Sequence, residues 1–312
     1  MQTHALPHVG TMPRHAYLAS WRALNSALDV VFYDVGSLSS QERSRLSAHV
    51  HPEGSVLVVY PRGGDQRIRT LMPWDFVQEQ VTRAGDAVDA IVVAGVGSSA
   101  LGTAALARNV ADYLRRPVAG VVSGLGMADV LAEALGGWFV LGASNALRDG
   151  FARIFDAQEL KDHVRDAQSH REMQEHFESA GIDRDRFIYG SPDSSALLYL
   201  LSKLGARIRL LVGHSKGNYS IENALEGWLE AHRGTDTPVH SALCIVTLGA
   251  AIRFPSTFTN VHQFIGQIDY FGMLNSRASV EHVEVAGAWH SLNTMMPGHL
   301  SVKEALQALD IR

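Results

Sequence analysis

The chain has 312 residues, 46% of them apolar, a formal net charge of −5 and a single cysteine. This is the composition of a soluble globular protein, long enough for one large α/β domain with an insertion or for two small domains. No cluster of lysine and arginine offers a face for nucleic-acid phosphates. No segment reaches the roughly 18 consecutive apolar residues that a membrane span requires.

The stretch 1–17 carries three histidines and two prolines and no apolar run of signal-peptide type. Cys244 has no partner in the chain for a disulfide, so a cytoplasmic protein is expected. It lies in the apolar run Ser241–Leu248, where burial suits it better than reactivity.

Short β-branched runs alternate with longer helical stretches, the pattern of a parallel sheet with crossover helices. The expected strands are Asp29–Tyr33, Ser55–Tyr60, Asp89–Ala94, Val118–Val122, Ile208–Val212, Leu243–Leu248, His262–Ile265 and His282–Val285, with helices such as Leu101–Leu114 and Met127–Leu135 between them. Residues 146–185 are rich in charge and histidine. They read as helices inserted before the strand at 208–212, either a lid or a solvated excursion.

The most informative segment is Arg207–His232. Leu210, Leu211 and Val212 form the short apolar run of a strand buried on both faces. Gly213-His214-Ser215-Lys216-Gly217 follows, and then Ile221, Leu225, Trp228 and Leu229 fall on one face of a helix. This is a G-x-S-x-G turn between strand and helix. The glycines two residues before and after the serine leave the tight turn uncrowded. Ser215 is the candidate nucleophile, and the N–H of Lys216, at the start of a helix, is a candidate oxyanion donor.

A serine hydroxyl needs a base, and the base needs an acid to hold its tautomer. Of the histidines after Ser215, His290 directly follows a strand, with Gly287 nearby, and is the favoured base; His299 is the second candidate. Of the later aspartates, Asp236 sits in a turn composition and Asp310 follows the base, which leaves Asp269 at the end of the strand 262–268. Glu281 and Glu284 fall within a strand. Asp269 and His290 thus both stand at carboxyl ends of strands, where open parallel sheets place their sites.

A second glycine-rich turn, Ala94-Gly95-Val96-Gly97-Ser98-Ser99-Ala100, joins a buried strand to a helix. Val96 is the candidate second oxyanion donor, and Ser98 and Ser99 are expected to line the pocket or to cap the helix. The same residues satisfy G-x-G-x-x-A through Gly95, Gly97 and Ala100, a dinucleotide fingerprint. The following strand, however, ends without the acidic residue that would hold a ribose. Leu125, Met127, Trp138, Met295 and Met296 are apolar candidates for the substrate pocket or the core.

With Ser215, Asp269, His290 and the Ala94–Gly97 turn in order, the chain resembles the α/β-hydrolase superfamily, and its Gly-His-Ser-x-Gly form is similar to the lipase and esterase branches. The resemblance covers about residues 89–300. It implies an α/β fold with a mostly parallel central sheet, helices on both faces and a single domain carrying the 146–185 insertion. It further implies a Ser-His-Asp acyl-enzyme mechanism on a small or medium acyl or aryl ester, without metal or cofactor. Thioesterases and acyltransferases share the triad. A nucleotide-binding protein using the Gly95 loop and a non-catalytic ligand-binding relative are the alternatives from other classes.

Overall fold

The computed structural model describes residues 28–48, 51–63, 67–82, 87–95, 98–123, 175, 179, 192–232, 242–277 and 279–311. The helix expected at Met127–Leu135 and, apart from residues 175 and 179, the insertion at 146–185 lie outside these residues.

The helices and strands run in chain order as α1 (Ser40–Ala48), β1 (Val56–Val59), β2 (Arg69–Leu71), α2 (Pro73–Thr82), β3 (Ala90–Val93), α3 (Ala100–Leu114) and β4 (Val118–Val121). They continue with α4 (Pro192–Leu204), β5 (Leu210–His214), α5 (Lys216–Ala231), β6 (Cys244–Leu248), β7 (Val261–Gly266), α6 (Tyr270–Leu274), β8 (Val283–Val285) and α7 (Val302–Ala308). Among the described residues no helix is long and apolar enough to cross a membrane.

The strands form one eight-stranded sheet in the order β2-β1-β4-β3-β5-β6-β7-β8. From β4 to β8 every pairing is parallel, while β1 runs antiparallel to both of its neighbours. The inner strands β1, β3, β4, β5 and β6 are buried along their whole length. That is why their sequences read as continuous apolar runs without alternation.

Successive side chains of each strand feed opposite cores. Ala90, Val92, Leu210, Val212 and Val246 pack with α3 and α7 on one side. Ile91, Val93, Leu211 and Ile245 pack with α2, α4 and α5 on the other. The result is helices on both faces of a mostly parallel sheet.

The topology also locates a crevice. The chain passes from β3 to β4 on one side and then returns to place β5 on the other side of β3. At such a reversal the two crossovers leave in opposite directions, and a cleft opens beyond the carboxyl ends of the strands. Gly95 follows β3 there and Ser215 follows β5.

Two features differ from the sequence-based expectation. Residues 28–32 are helical rather than extended, and Tyr33 N–H donates to the Asp29 carbonyl at 2.8 Å. The β-branched run Val30-Val31 favours a strand locally, but tertiary partners decide. The carboxyl of Asp29 is buried against α3, and the terminal carbonyls of this turn are received by the 291–293 loop. The short edge strand β2 is partly exposed, so no apolar run announces it.

Candidate active site

Ser215 stands between the end of β5 and the start of α5 with φ 52° and ψ −121°, a conformation that a residue with a side chain holds only under constraint. The constraint is visible on every side. Ser215 N–H donates to the Leu248 carbonyl at 2.9 Å, and its own carbonyl accepts from Asn218 N–H at 3.1 Å. The Asn218 amide in turn donates to the carbonyls of Leu248 and Ala250, each at 3.1 Å, which ties the first turn of α5 to the end of β6.

The glycines on either side are required by space. A Cβ on Gly217 would run into the carbonyl oxygens of Val93 and Ala94, and one on Gly213 into the Asn218 side chain. Across the cleft, a Cβ on Gly95 would stand 3.0 Å from Ser215 Cβ. The nucleophile candidate therefore lies directly against the loop that follows β3.

The acid and base candidates meet. Asp269 accepts from His290 Nδ1 at 3.0 Å through Oδ1 and at 2.8 Å through Oδ2, and both side chains are buried. Asp269 also caps α6, accepting from Gly272 N–H at 2.6 Å. The carboxylate is thus held at two points and presents one edge to the imidazole. With Nδ1 committed to Asp269, His290 Nε2 is the ring nitrogen left to face a reacting group.

His290 and Ser215 converge over the end of β6. Ser215 is bonded to Leu248, and the next residue, Gly249 with φ +70°, lies under the imidazole. A Cβ at that position would be 3.0 Å from His290 Cε1 and 3.1 Å from Nδ1. The ring is further enclosed by Phe32, edge-on with centroids 5.7 Å apart, by His214 at 4.8 Å and by Phe271 at 6.2 Å.

The loop carrying His290 is braced by residues 30–34. Ser291 Oγ donates to the Val31 carbonyl at 2.7 Å, Leu292 N–H to Phe32 at 2.8 Å and Asn293 Nδ2 to Val30 at 2.6 Å. Thr294 Oγ1 donates to Asp34 Oδ2 at 3.0 Å. The second candidate base, His299, has its Nδ1 3.2 Å from the Met296 carbonyl, and Glu281 and Glu284 are on the surface.

Lys216 is the first residue of α5, so its N–H stands at a helix N-terminus beside Ser215. Val96 and Gly97 lie outside the described residues. Gly95 N–H is already taken by the Tyr33 hydroxyl at 2.6 Å.

Of the two roles expected for the serines of this loop, the helix cap is the one seen at Ser99. Ser99 caps α3, accepting from Leu101 N–H at 3.0 Å, and its hydroxyl donates to Asp29 Oδ2 at 2.5 Å. Ser98 is buried. Asp29 draws these residues inward, because a buried carboxyl at the N-terminus of α3 needs donors. Met295 is 81% exposed and stands on the surface. Leu125, Met127, Trp138 and Asp236 lie outside the described residues.

Sequence patterns did not point to Asp29, Tyr33, Asn218, Gly249 or Gly272. Only Asn218 and Gly249 carried a local signal, as a polar residue three after the serine and a glycine directly after a buried strand. No family model, curated protein or solved structure matches this chain.

Proposed function

We propose that the chain is a serine hydrolase of the α/β-hydrolase type, cleaving a carboxylic ester with a small or medium acyl or aryl group. The observation that carries this reading is the buried Asp269–His290 pair, set over the same strand end that anchors Ser215. Ser215 Oγ would attack the ester carbonyl as His290 takes its proton at Nε2. Asp269 holds Nδ1–H and stabilises the imidazolium that forms. The N–H of Lys216, with that of Val96, would receive the oxyanion, and His290 would then return the proton to the leaving alcohol. Water, activated by the same imidazole, releases the acid.

Ile268, Tyr270, Phe271 and Leu274 are all at least half exposed and extend from the acid of the triad. This apolar shelf suits a hydrocarbon or aromatic substrate portion. The dinucleotide alternative is disfavoured by Asp29. Its carboxyl accepts from Ser99 N–H at 3.2 Å at the start of α3, where a diphosphate would otherwise sit.

A fluorophosphonate probe should label the wild type and leave Ser215→Ala unlabelled, with aryl acetates hydrolysed at neutral pH by the first only. A chain-length series of oxygen and thiol esters distinguishes an esterase from a thioesterase. Labelling that persists in Ser215→Ala removes the serine from the mechanism.

A further inference from the structure

His214, the variable residue of the elbow, is buried and bonded at both ring nitrogens. Nε2 is 3.0 Å from the His290 carbonyl oxygen, and Nδ1 is 2.9 Å from the Tyr33 hydroxyl. A carbonyl can only accept, so Nε2 carries the hydrogen. Burial, reinforced by the neighbouring His290, holds the His214 pKa well below the usual 6.5, so the ring is neutral and Nδ1 accepts from Tyr33. The phenol oxygen accepts from Gly95 N–H at 2.6 Å. The hydrogen bonds therefore run in one direction: Gly95 N–H to Tyr33, Tyr33 O–H to His214, His214 Nε2–H to the His290 backbone.

This path joins three pieces of the site that are remote in sequence. Gly95 opens the loop after β3, His214 immediately precedes Ser215, and His290 is the base. We infer that His214 and Tyr33 are positioning residues, which together hold the oxyanion loop, the nucleophile elbow and the base loop in one register. The role rests on Ser215 being the nucleophile, as proposed above.

Neutrality matters as well as geometry. When His290 accepts the serine proton it becomes a cation with its ring 4.8 Å from that of His214. A charged His214 would oppose that step, whereas a neutral one donating to the His290 carbonyl leaves the imidazolium to Asp269. The aromatic edges fit the same task, because Tyr33 meets the His214 ring edge-on at 5.3 Å and closes it from solvent.

The test uses the full chain with an aryl acetate. Tyr33→Phe and His214→Leu should each lower kcat by roughly 10- to 100-fold, the scale expected of a small misplacement of reacting groups, with KM within about twofold. His214→Gln, which returns an N–H donor near the Nε2 position, should recover part of the loss. In histidine-labelled wild type, nitrogen NMR should show His214 as the Nε2–H tautomer from about pH 5.5 to about pH 8.5. A His214 signal that titrates in this range, or both variants retaining wild-type kcat in a protein that the phosphonate labels, overturns the inference alone. A wild type that takes up no phosphonate and cleaves no ester overturns it together with the hydrolase reading.

Discussion

Asp29 Oδ2 lies 2.5 Å from the Ser99 hydroxyl, beneath the loop that leads from β3 into α3. Burial raises the Asp29 pKa from 3.8 to about 7, against the lowering effect of its bonds to Ser99. The folded protein therefore keeps a proton that the unfolded chain has already released. The resulting stabilisation is complete below about pH 4 and is lost as the pH climbs to about 7. Glu222, raised from 4.5 to about 7 by burial, acts in the same sense. In urea unfolding at about pH 5 and pH 8, the wild type should lose stability between the two, with Asp29 supplying about 3 kcal/mol of the drop. Asp29→Asn keeps an acceptor for Ser99 and cannot ionise, so its drop should be smaller by that amount. Equal drops in the two proteins would show that Asp29 does not hold its proton.

The elbow glycines allow a sharper contrast. Gly217→Ala sets a methyl group against the Val93 and Ala94 carbonyls, backbone atoms at the end of the central strand β3 that have little room to retreat. Overpacking of this kind should destabilise by about 2–3 kcal/mol. Gly205→Ala, at φ +52° with no atom within 4 Å of the added carbon, meets only the left-handed backbone penalty of about 1 kcal/mol. Thermal or denaturant unfolding of the pair checks the order, and a Gly217→Ala protein as stable as Gly205→Ala would contradict the close approach of α5 to β3.

Gly272 supports Asp269 from behind. An added Cβ would lie 2.5 Å from Asp269 Oδ2 and 2.5 Å from the Gly249 carbonyl oxygen, so Gly272→Ala must displace the carboxylate from His290. We expect kcat on an aryl ester to fall roughly 10- to 100-fold. Asp269→Asn, which leaves the wrong tautomer facing Ser215, should lower it by about 10⁴. If Gly272→Ala turned over at the wild-type rate, the tight setting of Asp269 would be irrelevant to the reaction.

Which of these features a reader of the sequence could foresee follows from how local their causes are. The strands β3, β5 and β6 are legible because burial on both faces leaves an apolar run. Asp269 stands out because it closely follows β7, which is buried over its second half, whereas β8 is short and exposed, so His290 is marked only by its place in the loop after that strand. Asp29–Tyr33 reads as a strand because Val30 and Val31 have strand propensity, whereas the helical turn is fixed by contacts with Ser99 and the 291–293 loop. Tyr33 meets His214 across 181 residues, and no periodicity encodes such a pairing. The helix cap at Ser99 is legible from its place before a helical run, but its bond to Asp29, 70 residues away, is not.

Cys244 offers a measure of how the sheet itself opens. It begins β6, paired with Leu210 of β5, and is 9% exposed. Burial pushes the thiol up to about 11, so in the native protein it is almost wholly protonated at pH 8 and slow to react. The strand lies between β5 and β7 and is hydrogen-bonded on both sides, so exposing the sulfur requires breaking the centre of the fold. Iodoacetamide should therefore leave the native protein unmodified over hours at pH 8 and label it fully in denaturant. At intermediate denaturant the labelling rate should track global unfolding, with the same midpoint as circular dichroism. Modification well below that midpoint would mean that β6 detaches locally, and with it the Leu248–Gly249 end on which Ser215 and His290 converge.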